Sequence, residues 1–294
     1  MRRGIVVLAL CLAAGACKKA KERPIAGAST AGADLPSGEQ AVVTSSNGQV
    51  EVVHEGTVSL AKVGDRLGAK DALRTQVGEA DLAVEGIKVR VHEASRLELK
   101  QVGKGNLRAR VRGSVESEVD ATGKLDVEVE DSDATAHSEG GHFFLTADGR
   151  GVVAVASVTG TVHLSGGGKT VEVGKGEVSR TLASNAAPSQ PAAALRRVLL
   201  SVQWPDVRET NKSSLPIVGR VEPGSRVFVQ GQPVMVEAGG NFHAEVPLKQ
   251  GKQKIAVVTV DALGRRKQVE SIVLRDDSLP EAKVKKKLWQ WRRK

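Results

Sequence analysis

The stretch Ala80–Leu99, ADLAVEGIKVRVHEASRLEL, decides the fold class of this 294-residue chain. It contains three short runs, Ala80–Val84, Lys88–Val91 and Arg96–Leu99, that alternate apolar and polar residues or are rich in β-prone side chains. Alternation with a period of two is typical of strands that bury one face. The stretch therefore predicts three short strands.

The same pattern extends over residues 42–182. Further strand-like segments are Gln49–Val53, Leu107–Val111, Leu125–Val129, Val152–Val158, Thr161–Leu164 and Thr170–Val173. Turn signals separate them at Asn47–Gly48, Val63–Asp65, Ala121–Gly123, Asp148–Gly149 and the loose hairpin turn Gly166–Gly168. Because no stretch sustains helical spacing over three turns, the sequence predicts an all-β domain, either a β-sandwich or a short β-solenoid.

The turn and core positions of residues 42–182 resemble those of FecR-type domains. The matching segments are Asn47–Val52, Val63–Leu67, Asp71–Thr75, Ala80–Val84, Val91–Leu99, Gly141–Phe144 and Val158–Val162. In that family the domain lies in the periplasm and relays a signal through a transmembrane helix to a cytoplasmic sigma-factor regulator. We expect no such helix here, so the resemblance implies an interaction or sensing module that does not use that relay.

Residues 183–197 are rich in Ala, Pro and Ser and are predicted to form a linker. A second set of alternating segments follows over residues 198–276. It resembles the Ig-like module called glucodextranase domain B in the segments Ile217–Ser225, Val227–Val234, Gly239–Phe242, Val246–Gly251 and Val258–Gly264. This resemblance implies an Ig-like β-sandwich that acts as a spacer or adhesive domain and is not itself catalytic.

The amino terminus predicts the location of the protein. Residues 1–16 combine a positive start, Met1–Arg3, with an apolar run, Ile5–Ala14, that is too short to span a bilayer of about 30 Å. Ala14–Cys17 resembles the lipobox of bacterial lipoproteins, which implies a signal peptide cleaved before Cys17 and lipidation of Cys17 with diacylglycerol and a palmitate-type acyl chain. Lys18 resembles outer-membrane sorting signals. We therefore expect a lipid-anchored cell-envelope protein, in the outer membrane and facing the periplasm or the cell surface.

Cysteine content and charge narrow the options further. Cys11 would leave with the signal peptide, so the mature chain would hold no disulfide. The formal net charge of +9 includes Arg2 and Arg3 of the signal, and seven positive charges without an acid lie in Lys283–Lys294. The rest of the chain is therefore neutral overall, and we do not expect a nucleic-acid partner.

Residues 17–41 are predicted to be a flexible, disordered tether, and residues 277–294 a basic tail. Val284, Leu288 and Trp291 share one face of a hypothetical tail helix. Candidate contacts to a membrane or an anionic partner are Lys285, Lys286, Lys287, Trp289, Trp291, Arg292 and Arg293. Three interpretations stay open: a solvated disordered tail, contact with anionic lipid or glycan, and contact with an acidic protein or nucleic acid.

No pattern predicts a catalytic or metal site, and we expect neither a cofactor nor enzymatic activity. His137, Glu139 and His142 lack the helical spacing of zinc motifs because Gly140–Gly141 intervenes. Gly166–Thr170 (GGGKT) lacks the first glycine of a P-loop. The acidic run Glu128–Asp133 is interpreted as a solvated strand edge.

Taken together, these features favour a non-enzymatic, lipid-anchored envelope protein that binds a protein partner as an interaction or sensing module. The alternative is a lipoprotein that binds peptidoglycan or polysaccharide. Glycan sites usually offer aromatic faces, and outside the tail the chain has only Trp204 and four Phe.

Overall fold

The computed structural model describes residues 40–205 and 209–278. This part of the chain is built from strands and turns and contains no helix, so the all-β prediction is confirmed. It accordingly contains no helix with the length and hydropathy needed to cross a bilayer. The strands form two bodies that belong to one compact unit.

The first body contains one continuous sheet of fifteen strands. They are β1 (Ala41–His54), β2 (Thr57–Leu60), β3 (Arg66–Leu67), β4 (Ala72–Val84), β5 (Ile87–Val91), β6 (Ser95–Gly103), β7 (Asn106–Val119), β8 (Lys124–Val129), β9 (Thr135–Ser138), β10 (Gly141–Ala147), β11 (Val152–Gly160), β12 (Val162–Gly166), β13 (Lys169–Val173), β14 (Glu177–Leu182) and β15 (Ala192–Ala193).

This sheet wraps around a single core because its longest strands change partners along their length. β4 pairs with β6 near its start and with β5 near its end. The first half of β7 pairs with β6 and, in parallel, with β8, whereas its second half pairs with β5 and β10. Alternate residues of these strands are buried, as in a β-sandwich. Its largest fully buried side chains are Leu67, Leu73, Leu82, Ile87, Leu97, Leu99, Leu107, Leu125, Phe143, Leu145 and Leu164.

One predicted turn is wrong. Asn47–Gly48 does not separate two strands but lies within the continuous strand β1, opposite Glu79 and Gly78 of β4. Gly48 and Gly78 both have positive φ angles, 88° and 106°, and the register shifts between Gly48 and Val50. The pair is therefore a bulge at which two long strands bend together.

The second body is a β-sandwich of two smaller sheets. Its strands are β16 (Leu200–Gln203), β17 (Glu209–Thr210), β18 (Ser214–Val221), β19 (Arg226–Val229), β20 (Gln232–Val234), β21 (Asn241–Pro247), β22 (Gly251–Val260) and β23 (Arg266–Arg275). One sheet has the order β16-β18-β21 and the other β17-β23-β22-β19-β20. Ile217 and Phe242 of the first sheet pack in one core with Ile255 and Val257 of the second.

The segment 183–197 between the bodies is held against β14. Within it, β15 pairs with the start of β14. The Ser189 amide donates to the Arg180 carbonyl at 2.7 Å, and the Arg180 amide donates to Ser189 Oγ at 3.1 Å. The segment thus adds a short edge to the first body before the chain enters the second.

Candidate functional site

The two bodies meet in a small apolar cluster. It consists of Ala154 and Ala156 of β11, Val178 of β14 and Ala262 from the turn between β22 and β23. Small side chains allow the two backbones to approach closely. A Cβ atom added to Gly224 would lie only 2.6 Å from that of Ala154. The junction is therefore closely packed.

Polar contacts surround this cluster. The Arg180 guanidinium donates from Nε to the Pro223 carbonyl at 2.8 Å and forms an ion pair with Glu222. Both side chains of that ion pair are largely buried. Because the partners come from different bodies, the ion pair fixes how the bodies face each other.

Arg226, the first residue of β19, reaches across the junction into the first body. Its guanidinium donates to the Ala94 carbonyl at 3.0 Å and to Ser95 Oγ at 3.3 Å, and it lies over the Phe228 ring at 5.1 Å from the centroid. Burial lowers the pKa of Arg226 to about 10, although the negative charge of Glu93 acts to raise it. The group therefore stays charged at neutral pH.

One cleft opens beside Arg226 with a volume of about 320 Å³. We call it the arginine cleft. Arg112 of β7, Arg150 of the β10–β11 turn and Arg226 supply its cationic side, and Pro233, Val234 and Met235 form its apolar side. Both bodies therefore contribute to it.

The arginine cleft has a local excess of positive charge. Arg112 is exposed and forms no ion pair with any residue in the described ranges. Asp148 is the one carboxylate among the described lining residues, and its Oδ1 already accepts the amides of Arg150 and Val152 at 2.7 and 3.0 Å. The cleft thus offers hydrogen-bond donors for an anion.

Arg226 also lines a second cleft of about 350 Å³, which we call the histidine cleft. His92, Glu79, Glu93 and Arg266 line it. Burial lowers the pKa of His92 and outweighs the opposing effect of the Glu116 and Glu79 carboxylates. His92 Nε2 is buried and makes no hydrogen bond to the rest of the described structure.

Ser95 contacts Arg226, which lines both clefts, and the Ser95 hydroxyl group takes part in three hydrogen bonds. Ser95 Oγ accepts the Ser114 amide at 2.9 Å and the Arg226 guanidinium, and it donates to the Glu93 carbonyl at 3.1 Å. It therefore links β6, β7 and β19. The chemistry that the junction offers is recognition of an anion by guanidinium groups.

The site residues predicted from the sequence lie outside the described residues. This applies to the lipidation site, Cys17, and to the tail residues Lys285, Lys286, Lys287, Trp289, Trp291, Arg292 and Arg293. The structure therefore does not test the anchor or the tail, and both stay predictions.

The motifs considered for metal or phosphate chemistry have other structural roles. His137 lies in β9 and contacts Asp126 at 2.7 Å, whereas His142 lies in β10 and contacts Glu116 at 2.8 Å. Gly167–Gly168 is the turn of the β12–β13 hairpin. In the described ranges no group of three or more His, Cys, Asp or Glu side chains is arranged to hold a metal ion.

The interpretation of the acidic run as a strand edge is wrong. β8, which carries Glu128, lies between β7 and β9 and is not an edge strand. Glu128 instead forms ion pairs with Arg108 and Arg110 at 2.6 and 3.2 Å. The parallel pairing of β7 and β8 places Arg110 opposite Glu128 and Arg108 close by. These residues are too far apart in the sequence for the pattern to predict the contact.

Sequence reasoning missed the arginine cleft. The turn signals at Asp148–Gly149 and Pro223–Ser225 were visible, but nothing in the pattern distinguishes the arginine that follows each of them. Arg112 looks like an ordinary outward-facing residue of an alternating strand. Only the packing of the bodies brings the three residues to one cleft.

Comparisons with known proteins identify no family for this chain. No family model matches, and no curated protein matches. Two crystal structures of a protein provisionally assigned as an anti-sigma factor from Parabacteroides distasonis are similar, with 14% and 15% identity and a TM-score of 0.36 each. The match covers 42% of this chain, which spans only 59% of the length of those structures.

Two further solved structures show weaker similarity. A polysaccharide lyase has 12% identity and a TM-score of 0.21, and the match covers 81% of this chain and 40% of the lyase. A structure from a 1.5-MDa bacterial ice-binding adhesin, with a role in host cell surface retention, has 12% identity and a TM-score of 0.19 over 81% of this chain and 86% of that one. With such low identities and TM-scores, no inference about the function of this protein follows from these similarities.

Proposed function

We propose that this protein is a non-enzymatic, lipid-anchored component of the cell envelope that acts as an interaction or sensing module. The observation that carries the proposal is the arginine cleft, because it is built from both bodies and presents an exposed arginine, Arg112, without a described ion-pair partner. A ligand in this cleft would contact both bodies at once. Such a site suits recognition of a partner in the periplasm or at the cell surface.

The lipid anchor is the part of the proposal that rests on Cys17. Cells that express the full-length protein are fed an alkyne-labelled fatty acid, and we expect the protein to incorporate the label. Cys17→Ala should abolish incorporation, whereas Cys11→Ala, which changes the other cysteine of the chain, should retain it. Label that persists in the Cys17→Ala variant would refute the anchoring site.

The interaction itself is tested by a photo-crosslinking amino acid placed at Met235 in the full-length protein in living cells. Met235 lines the cleft and has 62% of its surface exposed. We expect discrete protein adducts from this position and none from the same probe at Arg66, an exposed residue of β3 away from the cleft. Adducts confined to insoluble cell wall would support the alternative, a peptidoglycan- or polysaccharide-binding lipoprotein.

A further inference from the structure

We infer that the arginine cleft binds an acidic peptide segment that also carries an apolar side chain. This inference rests on the proposed function and names the chemistry of its partner. Three properties of the cleft support it: its uncompensated charge, its exposed apolar wall and the residue types that it lacks.

The charge of the cleft favours an anion. Arg112 is exposed and without an ion-pair partner in the described structure, Arg150 directs its guanidinium at the sulfur of Met235, and Arg226 remains charged while donating to Ala94 and Ser95. Guanidinium groups bind carboxylates through paired, charge-assisted hydrogen bonds. Since Asp148 is already engaged by backbone amides, a carboxylate from a partner would be the natural complement.

The apolar side of the cleft favours an apolar group. Met235 and Pro233 are exposed, and the buried side chains of Val227 and Val236 form the wall behind them. An exposed methionine is an adaptable apolar contact because its side chain is unbranched and polarisable. The cleft therefore favours a ligand in which an acidic group and an aliphatic group lie next to each other.

The composition of the cleft favours peptide over glycan. Sugar rings usually stack on aromatic faces, yet no aromatic side chain is among the described lining residues. The four Phe residues of the chain, Phe143, Phe144, Phe228 and Phe242, are all buried. A cleft of about 320 Å³ is at the low end of the range of ligand sites, which is about 300–1,000 Å³, and therefore suits a few side chains.

Recognition in this cleft would depend on side chains rather than on strand addition. β20 is the edge strand of its sheet and borders the cleft, but it contains Pro233, which has no N–H to donate. Proline on an edge strand is a common device against strand pairing. Affinity should accordingly depend on the arginine side chains and on Met235.

The test uses purified full-length protein and two matched libraries of short fluorescent peptides. The first library combines acidic with aliphatic residues, and the second carries the amide counterparts of the acids. We expect fluorescence anisotropy to detect binding to acidic peptides and none to their amide counterparts. Arg112→Ala should weaken binding about tenfold because it removes a charge-assisted contact. Arg66→Ala removes the same charge from β3 and should leave the affinity unchanged.

Met235→Ala separates the apolar contribution from the charge. It should weaken binding of peptides that contain an aliphatic residue but not of peptides that contain only acids and glycine. Arg112-dependent binding of polygalacturonate without peptide binding would overturn the inference in favour of an acidic glycan. Equal effects of Arg112→Ala and Arg66→Ala would show that the cleft is not the site. Neither result would decide the proposed function, because the fatty-acid labelling tests the lipid anchor and the crosslinking from Met235 tests the interaction independently of the peptides.

Discussion

His92 is the residue whose protonation most directly links the histidine cleft to stability. Its ring stacks on Phe144 at 6.3 Å, and it faces Glu79 and Glu116 as well as the positive groups of Arg90 and Arg226. Because burial holds the pKa of His92 below 6.5 in the folded protein, the unfolded chain takes up this proton first as the pH falls. The free energy of unfolding therefore decreases as the pH falls from about 6.5 towards the folded-state pKa.

We expect His92→Phe to reduce this pH dependence. The substitution keeps an aromatic ring against Phe144 and removes the titrating group. It should also raise stability at neutral pH by about 1 kcal/mol, because a buried nitrogen without a hydrogen-bond partner is lost. Urea unfolding curves between about pH 5 and 7.5 measure both effects. His243→Phe changes an exposed histidine of β21 as a control, and an equal flattening in both variants would contradict the role of His92.

Single residues also show which features of the structure could be predicted from the sequence and which could not. Alternation predicted strands at Arg96–Leu99 and Leu107–Val111, and the structure buries their leucines on one face, because a period of two fixes which side chains share a face. Arg112 occupies an outward position of the same kind of pattern, and its neighbours in space come from β19 and from the β10–β11 turn. Periodicity reports the burial of a position but not which distant residue will face it.

At the scale of elements, the bulge shared by β1 and β4 is the feature that tolerates substitution least. A Cβ atom on Gly48 would lie 2.2 Å from the Val77 carbonyl oxygen and 2.9 Å from the Gly78 Cα. Both are backbone atoms and cannot rotate away. The two glycines therefore allow long strands to bend together around the core.

We expect Gly48→Ala to lower the free energy of unfolding by about 3 kcal/mol or more. The new methyl group adds the clash with β4 to the cost of a left-handed φ angle, which alone is about 1–2 kcal/mol. Gly56→Ala is the matched control, since Gly56 has a similar φ of 83° but open space around its Cβ position. Urea denaturation monitored by circular dichroism should therefore show a much smaller loss for Gly56→Ala. Equal losses would mean that the clash with β4 adds nothing to the cost of Gly48→Ala.

The strands themselves were largely predictable from the sequence, whereas their lengths and partners were not. Predicted segments such as Ala80–Val84 and Leu125–Val129 lie within strands of the structure. Of β1 (Ala41–His54), only Gln49–Val53 was predicted as a strand, because Asn-Gly is a strong turn signal. In the structure Gly48 lies opposite a second glycine, Gly78 of β4, and the two form a bulge instead of a turn. No local sequence pattern reveals such a pairing between distant residues.

At the scale of the whole molecule, the junction cluster makes the two bodies one unit. We expect Ala262→Glu to uncouple them, because it places a carboxylate among Ala154, Ala156 and Val178. An unpaired buried charge should cost about 2–4 kcal/mol. Differential scanning calorimetry should show one transition for the parent protein and two for the variant.

Ala238→Glu introduces the same side chain at an exposed position of the second body and should keep the single transition. A single, unshifted transition in the Ala262→Glu variant would show that the cluster does not couple the bodies. The sequence predicted two β regions joined by a linker but not their close packing. The reason is physical: the interface uses alanine and glycine, whose small side chains give no strong hydrophobic signal.

The alanine face of β11 also has a consequence for synthesis of the chain. Ala154 and Ala156 of β11 and Phe144 of the neighbouring strand β10 are buried. In the second body, Ala262 packs with the two alanines and Gly264 lies next to the Phe144 ring. A ribosome finishes β11 well before it adds β22. During that interval, and permanently in any product truncated after the linker, the first body presents an apolar strip to its surroundings. A chain truncated after the linker should therefore self-associate more readily than the full-length chain, which gel filtration at increasing protein concentration would measure.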